Sequence, residues 1–128
     1  MRVIYPSAKT ALLRGQIDLL ADTVKAQLVG AGYTYNAAHD TTDDLTGTVG
    51  AALIVSVTDV TDGVALCADL VYVDLTGAEV TGIVFYQDNT PDPGVLLSYC
   101  DQRADTVPIS VVPNGADVTF SFDYLMKI

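Results

Sequence analysis

The sequence predicts an all-β domain, a single antiparallel β-sandwich or jelly-roll-like module with one short helix near its N-terminus. Three observations point there. In the last third, short apolar runs alternate with turn signals: Gly82 to Asp88 (GIVFYQD), Val95 to Asp101 (VLLSYCD), Ile109 to Val112 (ISVV) and Ala116 to Asp123 (ADVTFSFD) are separated by residues 89–94 (NTPDPG), 102–108 (QRADTVP) and 113–115 (PNG). Of the 16 acidic residues, all but Glu79 are aspartate, the bias expected when carboxylates sit in turns and at strand ends and bond to nearby backbone. Finally, no helical crossovers separate the roughly eight strand-like segments, so a sandwich, jelly roll or Greek-key barrel is expected rather than a parallel sheet.

Taken in order, Ser7 reads as an N-cap, Ala8 to Arg14 as two helical turns and Gly15 as the stop. Ala8, Ala11 and Leu12 recur at the spacing of one helical face, which would cover the β core while Lys9 stays in water. Val24 to Val29 alternates Val24, Ala26 and Leu28 with Lys25 and Gln27, the period of a half-buried strand. From residue 30 to residue 50 the pattern dissolves into a long surface loop, GAGYTYNAAHDTTDDLTGTVG. Loops of this length inside a domain are more often functional than slack. Ala51 to Val60 resumes the alternation, Asp62 and Gly63 supply a hairpin signal, and Val64 to Leu75 returns with a bulge expected near Ala68. Gly82 to Tyr86 has no polar alternation, so both of its faces are expected to be covered, by neighbouring strands or by another subunit. Ala116 to Asp123 sets Val118, Phe120 and Phe122 on one face against Asp117, Thr119, Ser121 and Asp123 on the other. The whole of 1–128 reads as one β domain, with residues 1–15 forming the helical N-terminal segment.

Composition narrows the function. A chain of 128 residues that is 50% hydrophobic is long enough to bury roughly two thirds of its unfolded surface in one core. Its apolar runs are far too short for a membrane-spanning helix, and Lys9 and Arg14 interrupt the N-terminal stretch where a secretory signal would be apolar. A formal net charge of −10 opposes nucleic-acid phosphates and favours solubility. Cys67 and Cys100 lie in separate strand-like segments without other ligands at metal spacing, and are read as small buried hydrophobes rather than a disulfide.

No catalytic constellation stands out, and the chain is read as a non-enzyme with no cofactor. Ser98 lies outside any G-x-S-x-G elbow, and the stretch GTVG at 47–50 lacks the Lys and Ser/Thr of a phosphate-binding loop. Glycosidase chemistry needs a carboxylate pair that the sequence does not single out. His39 with Asp40, Asp43 and Asp44 invites a metal, but the loop lacks the ligand spacing of a calcium site, and a solvated polar loop is the expectation. Asp59 with Asp62, and Asp101 with Asp105, are read as turn formers. Of the seven tyrosines, Tyr72, Tyr86 and Tyr99 lie in apolar runs and belong to the core, whereas Tyr33 and Tyr35 share one face of the long loop. Tyr33, Tyr35, Asn36, His39 and Asp40, joined by Tyr5, are the candidate contacts for a protein partner, with glycan stacking as the alternative.

The succession ALLRGQIDLLADTVKAQLV at 11–29, YTYNAAHD at 33–40, GIVFYQD at 82–88, LLSYCD at 96–101 and PNGADVTFSFD at 113–123 resembles a family of small structural proteins of tailed-bacteriophage virions, the head decoration or minor capsid proteins. The likeness covers most of the chain and is loosest over residues 41–66. Leu19 stands where relatives are expected to carry an aromatic, and Ala26 with Gln27 is more polar than the usual pattern. The resemblance implies a virion component on the outer surface of the head, a cement protein that clamps the shell as a homo-oligomer, with a trimer favoured. Its partners would be the major capsid protein and copies of itself, with neither nucleic acid nor membrane. A tail or neck component and a carbohydrate-binding adhesin are the alternatives.

Overall fold

The computed structural model describes residues 1–88, 93–103 and 106–128. Its largest element is a five-stranded antiparallel sheet in the order β1-β8-β7-β2-β3, built from β1 (Arg2–Ile4), β2 (Val24–Val29), β3 (Thr48–Val55), β7 (Gly82–Gln87) and β8 (Val95–Cys100). Between β3 and β7 the chain forms β4 (Val57–Thr61), β5 (Val64–Cys67) and β6 (Leu70–Tyr72), and it ends in β9 (Val118–Phe120) and β10 (Met126–Lys127). These make two small sheets, β10-β5-β4 and β6-β9. The one α-helix, α1, spans Pro6–Leu13. The chain is thus all-β with one short N-terminal helix, as its sequence predicts, although its second layer is two short sheets and not one broad one.

The register explains which side chains meet. Across the main sheet Ile4, Ser98, Phe85, Ala26 and Leu53 form one row. Over that row lie the small sheets and the C-terminal segment. Phe122 meets Phe85 edge-on at 5.5 Å between ring centroids, the Ser98 hydroxyl donates to the Leu125 carbonyl, and the Tyr72 hydroxyl donates to the Ala26 carbonyl at 3.0 Å. On the opposite face Tyr99 and Val84 pair, and there Tyr33 and Tyr35 pack on Tyr99. Both sides of β7 are therefore covered within one chain, with Ile83, Val84 and Phe85 at most 1% exposed. A neighbouring subunit is not needed to account for its apolar sequence.

Local chemistry sets the element ends. α1 starts two residues earlier than its sequence suggests: Tyr5 is the N-cap and Pro6, whose fixed φ suits the first turn, opens the helix. Ser7 lies inside the helix, and its buried Oγ has no hydrogen-bond partner among the described residues. Ala8 and Ala11 are buried, as the spacing predicts, and Gly15 follows in the left-handed region at φ 69°. Asp62 and Gly63 have φ of 54° and 77°, the double left-handed geometry of a type I′ turn, which matches the twist of β4 and β5. The return from Gly63 breaks at Ala68 and Asp69 into β5 and β6, where a bulge is expected from length. The stretch 109–112 is not a strand but contributes a single bridge, Val111 with Val80. Most of the turn at 89–94 falls outside the described residues.

Among the described residues no helix is long and apolar enough to cross a membrane. Cys67 and Cys100 are free thiols, half-buried and buried, and burial pushes both thiols up from the ordinary range. As neutral groups they behave as small hydrophobes.

Candidate contact surface

The loop after β2 is shorter and more ordered than a 30–50 loop, because Thr48, Val49 and Gly50 already belong to β3. It carries one 3₁₀ turn, Thr42–Asp44, closed by a capping box in which Thr41 and Asp44 satisfy each other's backbone N–H groups. The Asp44 carboxylate accepts from the Asp40 N–H at 2.9 Å and the Thr41 N–H at 3.3 Å. These donors hold the Asp44 carboxyl below the usual carboxylate range. The T-T-D-D stretch at 41–44 has the Thr-x-x-acid spacing of such a box, a signal the sequence reading passed over.

The turn fixes the loop to the edge of the main sheet. β1 pairs with the C-terminal half of β8, and Tyr5 N–H continues the ladder to the Leu97 carbonyl. Beyond that point the loop takes over. Leu96 N–H donates to the Asp40 carbonyl and Thr42 N–H donates to the Gly94 carbonyl, each at 3.0 Å. The Thr42 hydroxyl also accepts from Gly94 N–H. A strand edge that would otherwise invite pairing with another chain is thereby covered along its length.

Inside this edge sits a cluster of tyrosines. Tyr5 is 0% and Tyr33 is 6% exposed, and their hydroxyl oxygens lie 2.7 Å apart. The Tyr33 hydroxyl also lies 2.9 Å from His39 Nδ1. Tyr35 tilts against Tyr5 at 5.3 Å and meets Tyr99 edge-on at 5.8 Å. Tyr5, Tyr33 and Tyr99 all have their phenol ionisation pushed up, in each case chiefly by burial. They stay neutral across the physiological range.

This geometry divides the six candidate contacts. Tyr5 and Tyr33 are core residues whose hydroxyls are used inside the protein, so a partner does not reach them in this fold. The alternation that groups Tyr33 with Tyr35 holds no information on which of them a neighbouring helix will cover. Tyr35 and His39 are half-buried, and Asn36 and Asp40 are exposed. Asn36 closes an Asx turn onto the Ala38 N–H at 2.9 Å. Of the six, Tyr35, Asn36, His39 and Asp40 are the ones whose side chains reach the surface. A cleft beside them is lined by Thr10, Arg14, Gln16, Asp40, Thr41 and Val95.

Among the described residues no three His, Cys, Asp or Glu side chains are grouped so as to hold a metal. Several aspartates are committed elsewhere: Asp59 accepts from the Thr61 hydroxyl, Asp18 from the Leu20 and Ala21 N–H groups, and Asp117 from the Asp74 N–H. Asp105 lies outside the described residues.

A second surface lies at the open edge of the main sheet. β3 carries no charged residue, and Ile54 is 68% exposed. A groove between β3 and β6 is lined by Ala51, Ala52, Leu53, Val71, Val73 and Leu75. The edge is blunted in the middle, where residues 50–52 bulge opposite Gln27 and its amide donates to the Val49 and Gly50 carbonyls.

No protein-family model matches the chain, and neither a curated protein nor a solved structure matches it.

Proposed function

We propose that this protein is a non-enzymatic structural component of a tailed-phage virion, a decoration protein that binds the outside of the assembled head and cements its lattice. The observation that carries the reading is the resemblance of the segments at 11–29, 33–40, 82–88, 96–101 and 113–123 to small head decoration and minor capsid proteins. A small antiparallel module whose loop is pinned to the sheet suits that task, because a rigid clip loses little conformational freedom on binding. A ligand that binds only the expanded lattice stabilises it by mass action. Repetition over a symmetric shell, with the protein itself a trimer, makes weak single contacts sufficient.

Within this reading the shell subunit is met by Tyr35, Asn36, His39 and Asp40, and by the apolar groove between β3 and β6. The acidic surface suits a partner that offers basic groups at the rim of the contact.

Quantitative mass spectrometry of purified virions tests the proposal. A copy number on the order of one per major shell subunit is expected, since a symmetric lattice offers equivalent sites. A number far below that moves the protein to the tail or neck. Its absence from particles removes the virion reading.

A further inference from the structure

Tyr5, Tyr33 and His39 form a chain of hydrogen-bonding groups from the core to the surface. Two contacts join the three side chains, at 2.7 Å between the hydroxyls and at 2.9 Å from the Tyr33 hydroxyl to His39 Nδ1. Among the described residues neither hydroxyl has a further hydrogen-bond partner. When the neutral imidazole carries its proton on Nε2, Tyr5 donates to Tyr33 and Tyr33 donates to Nδ1, so both hydroxyl hydrogens are placed. A protonated ring adds a hydrogen on Nδ1. Three hydrogens then compete for two contacts, and one hydroxyl hydrogen is left without an acceptor in the interior, an arrangement that costs its full desolvation.

We propose that His39 is a pH-sensitive latch. The neutral ring holds residues 36–44 against the N-terminal half of β8, and protonation releases them and exposes the strand edge at Gly94–Leu96 to solvent. The loop is joined to that edge by the Leu96 to Asp40 and Thr42 to Gly94 hydrogen bonds, so movement of His39 acts directly on them. Of the charged groups near the ring, Asp40 is next to it in sequence and Asp44 lies across the 3₁₀ turn, while Arg14 lines the cleft beside Asp40. Asp44 attracts a cationic ring, but its carboxylate already accepts two backbone N–H groups and lies near solvent. A screened attraction of this kind is weaker than the loss of a buried acceptor. The inference does not depend on the virion reading.

The chain has one histidine. The interval from roughly pH 8 to 5 is the range in which an ordinary imidazole changes charge, and the terminal amine bonds Asp101 beyond the opposite end of β8, away from the latch. Amide hydrogen exchange of the full chain, corrected for the intrinsic rate at each pH, reads the latch at Thr42 and Leu96. Protection there is expected to fall about tenfold on acidification through that range, the size of one lost buried hydrogen bond, while the Phe85 and Ala26 amides do not follow. The fall should vanish in His39→Gln and in Tyr33→Phe. Flat protection in the unaltered chain, or the same fall in Tyr33→Phe, overturns the latch. Nitrogen-15 shifts of the His39 ring give a check that needs no variant: Nε2 should carry the hydrogen in the neutral form, and a hydrogen found on Nδ1 also overturns it.

Discussion

Residues 30–47 and the hairpin β4–β5 distribute their interactions in opposite ways. The loop has one 3₁₀ turn for regular structure, yet it supplies Tyr33 to the core and covers half of a strand edge. The hairpin is paired along its length and closed by a type I′ turn, yet most of its side chains are exposed, including Val60 and Leu66. Backbone pairing and burial are separate contributions to stability. Here the less regular segment supplies a buried aromatic, Tyr33, whereas the fully buried residue of the hairpin strands is the small Ala65.

The strongest way to break this contrast is Tyr33→Ala. Removing a buried aromatic that stacks on Tyr99 and bonds Tyr5 is expected to cost about 3 to 5 kcal/mol, measured by urea unfolding. If the loss is below 1 kcal/mol, the loop is not part of the core. Next comes Gly82→Ala. A Cβ there would lie 2.9 Å from the Tyr99 hydroxyl and 3.3 Å from Val29 Cγ2, so the platform under the loop must shift, at roughly 1 to 3 kcal/mol. Loop amides should lose more protection than hairpin amides. A uniform loss would mean that Tyr99 does not support the loop in particular. Leu66→Ala serves as the hairpin's counterpart and should cost less than Tyr33→Ala, about 1 to 2 kcal/mol, because that side chain is 38% exposed.

The smallest effect concerns acid. The folded-state ionisation of Asp44 is depressed by the Asp40 and Thr41 N–H groups. Its contribution is therefore present above the ordinary carboxylate range and is lost as pH falls through the depressed value. Exchange at the Asp40 and Thr41 amides should rise on that acid limb, and Asp44→Ala should remove the dependence and lower stability modestly at neutral pH, by about 0.5 to 1 kcal/mol, the worth of a capping carboxylate. A steep acid transition that persists in the variant would assign it to other carboxylates.

What could be read from the sequence follows the range of the interactions involved. Val24 to Val29 is set by side-chain alternation, Gly82 to Asp88 by an unbroken apolar run and the Asp62-Gly63 turn by φ preference, all local, and each is found within a residue of where its pattern places it. The burial of Tyr5 and Tyr33 is set by partners 28 residues apart and by Tyr99 from the far side of the chain, and no local period encodes it. The same holds for Ile109 to Val112, whose composition suits a strand but whose bridge, among the described residues, is Val111 with Val80. The helix start moved because Pro6 at the first position outweighs a serine that finds no N–H to cap.

Arg2 bonds the Asp123 carboxylate at 2.6 Å and the Tyr124 carbonyl at 2.6 Å, and its guanidinium lies over the Tyr124 ring. Its strand, β1, pairs with β8 nearly a hundred residues downstream, Arg2 opposite Cys100. Contacts this distant in sequence close large loops before they gain anything, which places such a chain among the slow folders, on the millisecond to second scale. On a ribosome that adds roughly 5 to 20 residues per second, the first strand waits for seconds before its partner exists. The nascent N-terminal half is therefore the form of this protein most in need of protection from its neighbours.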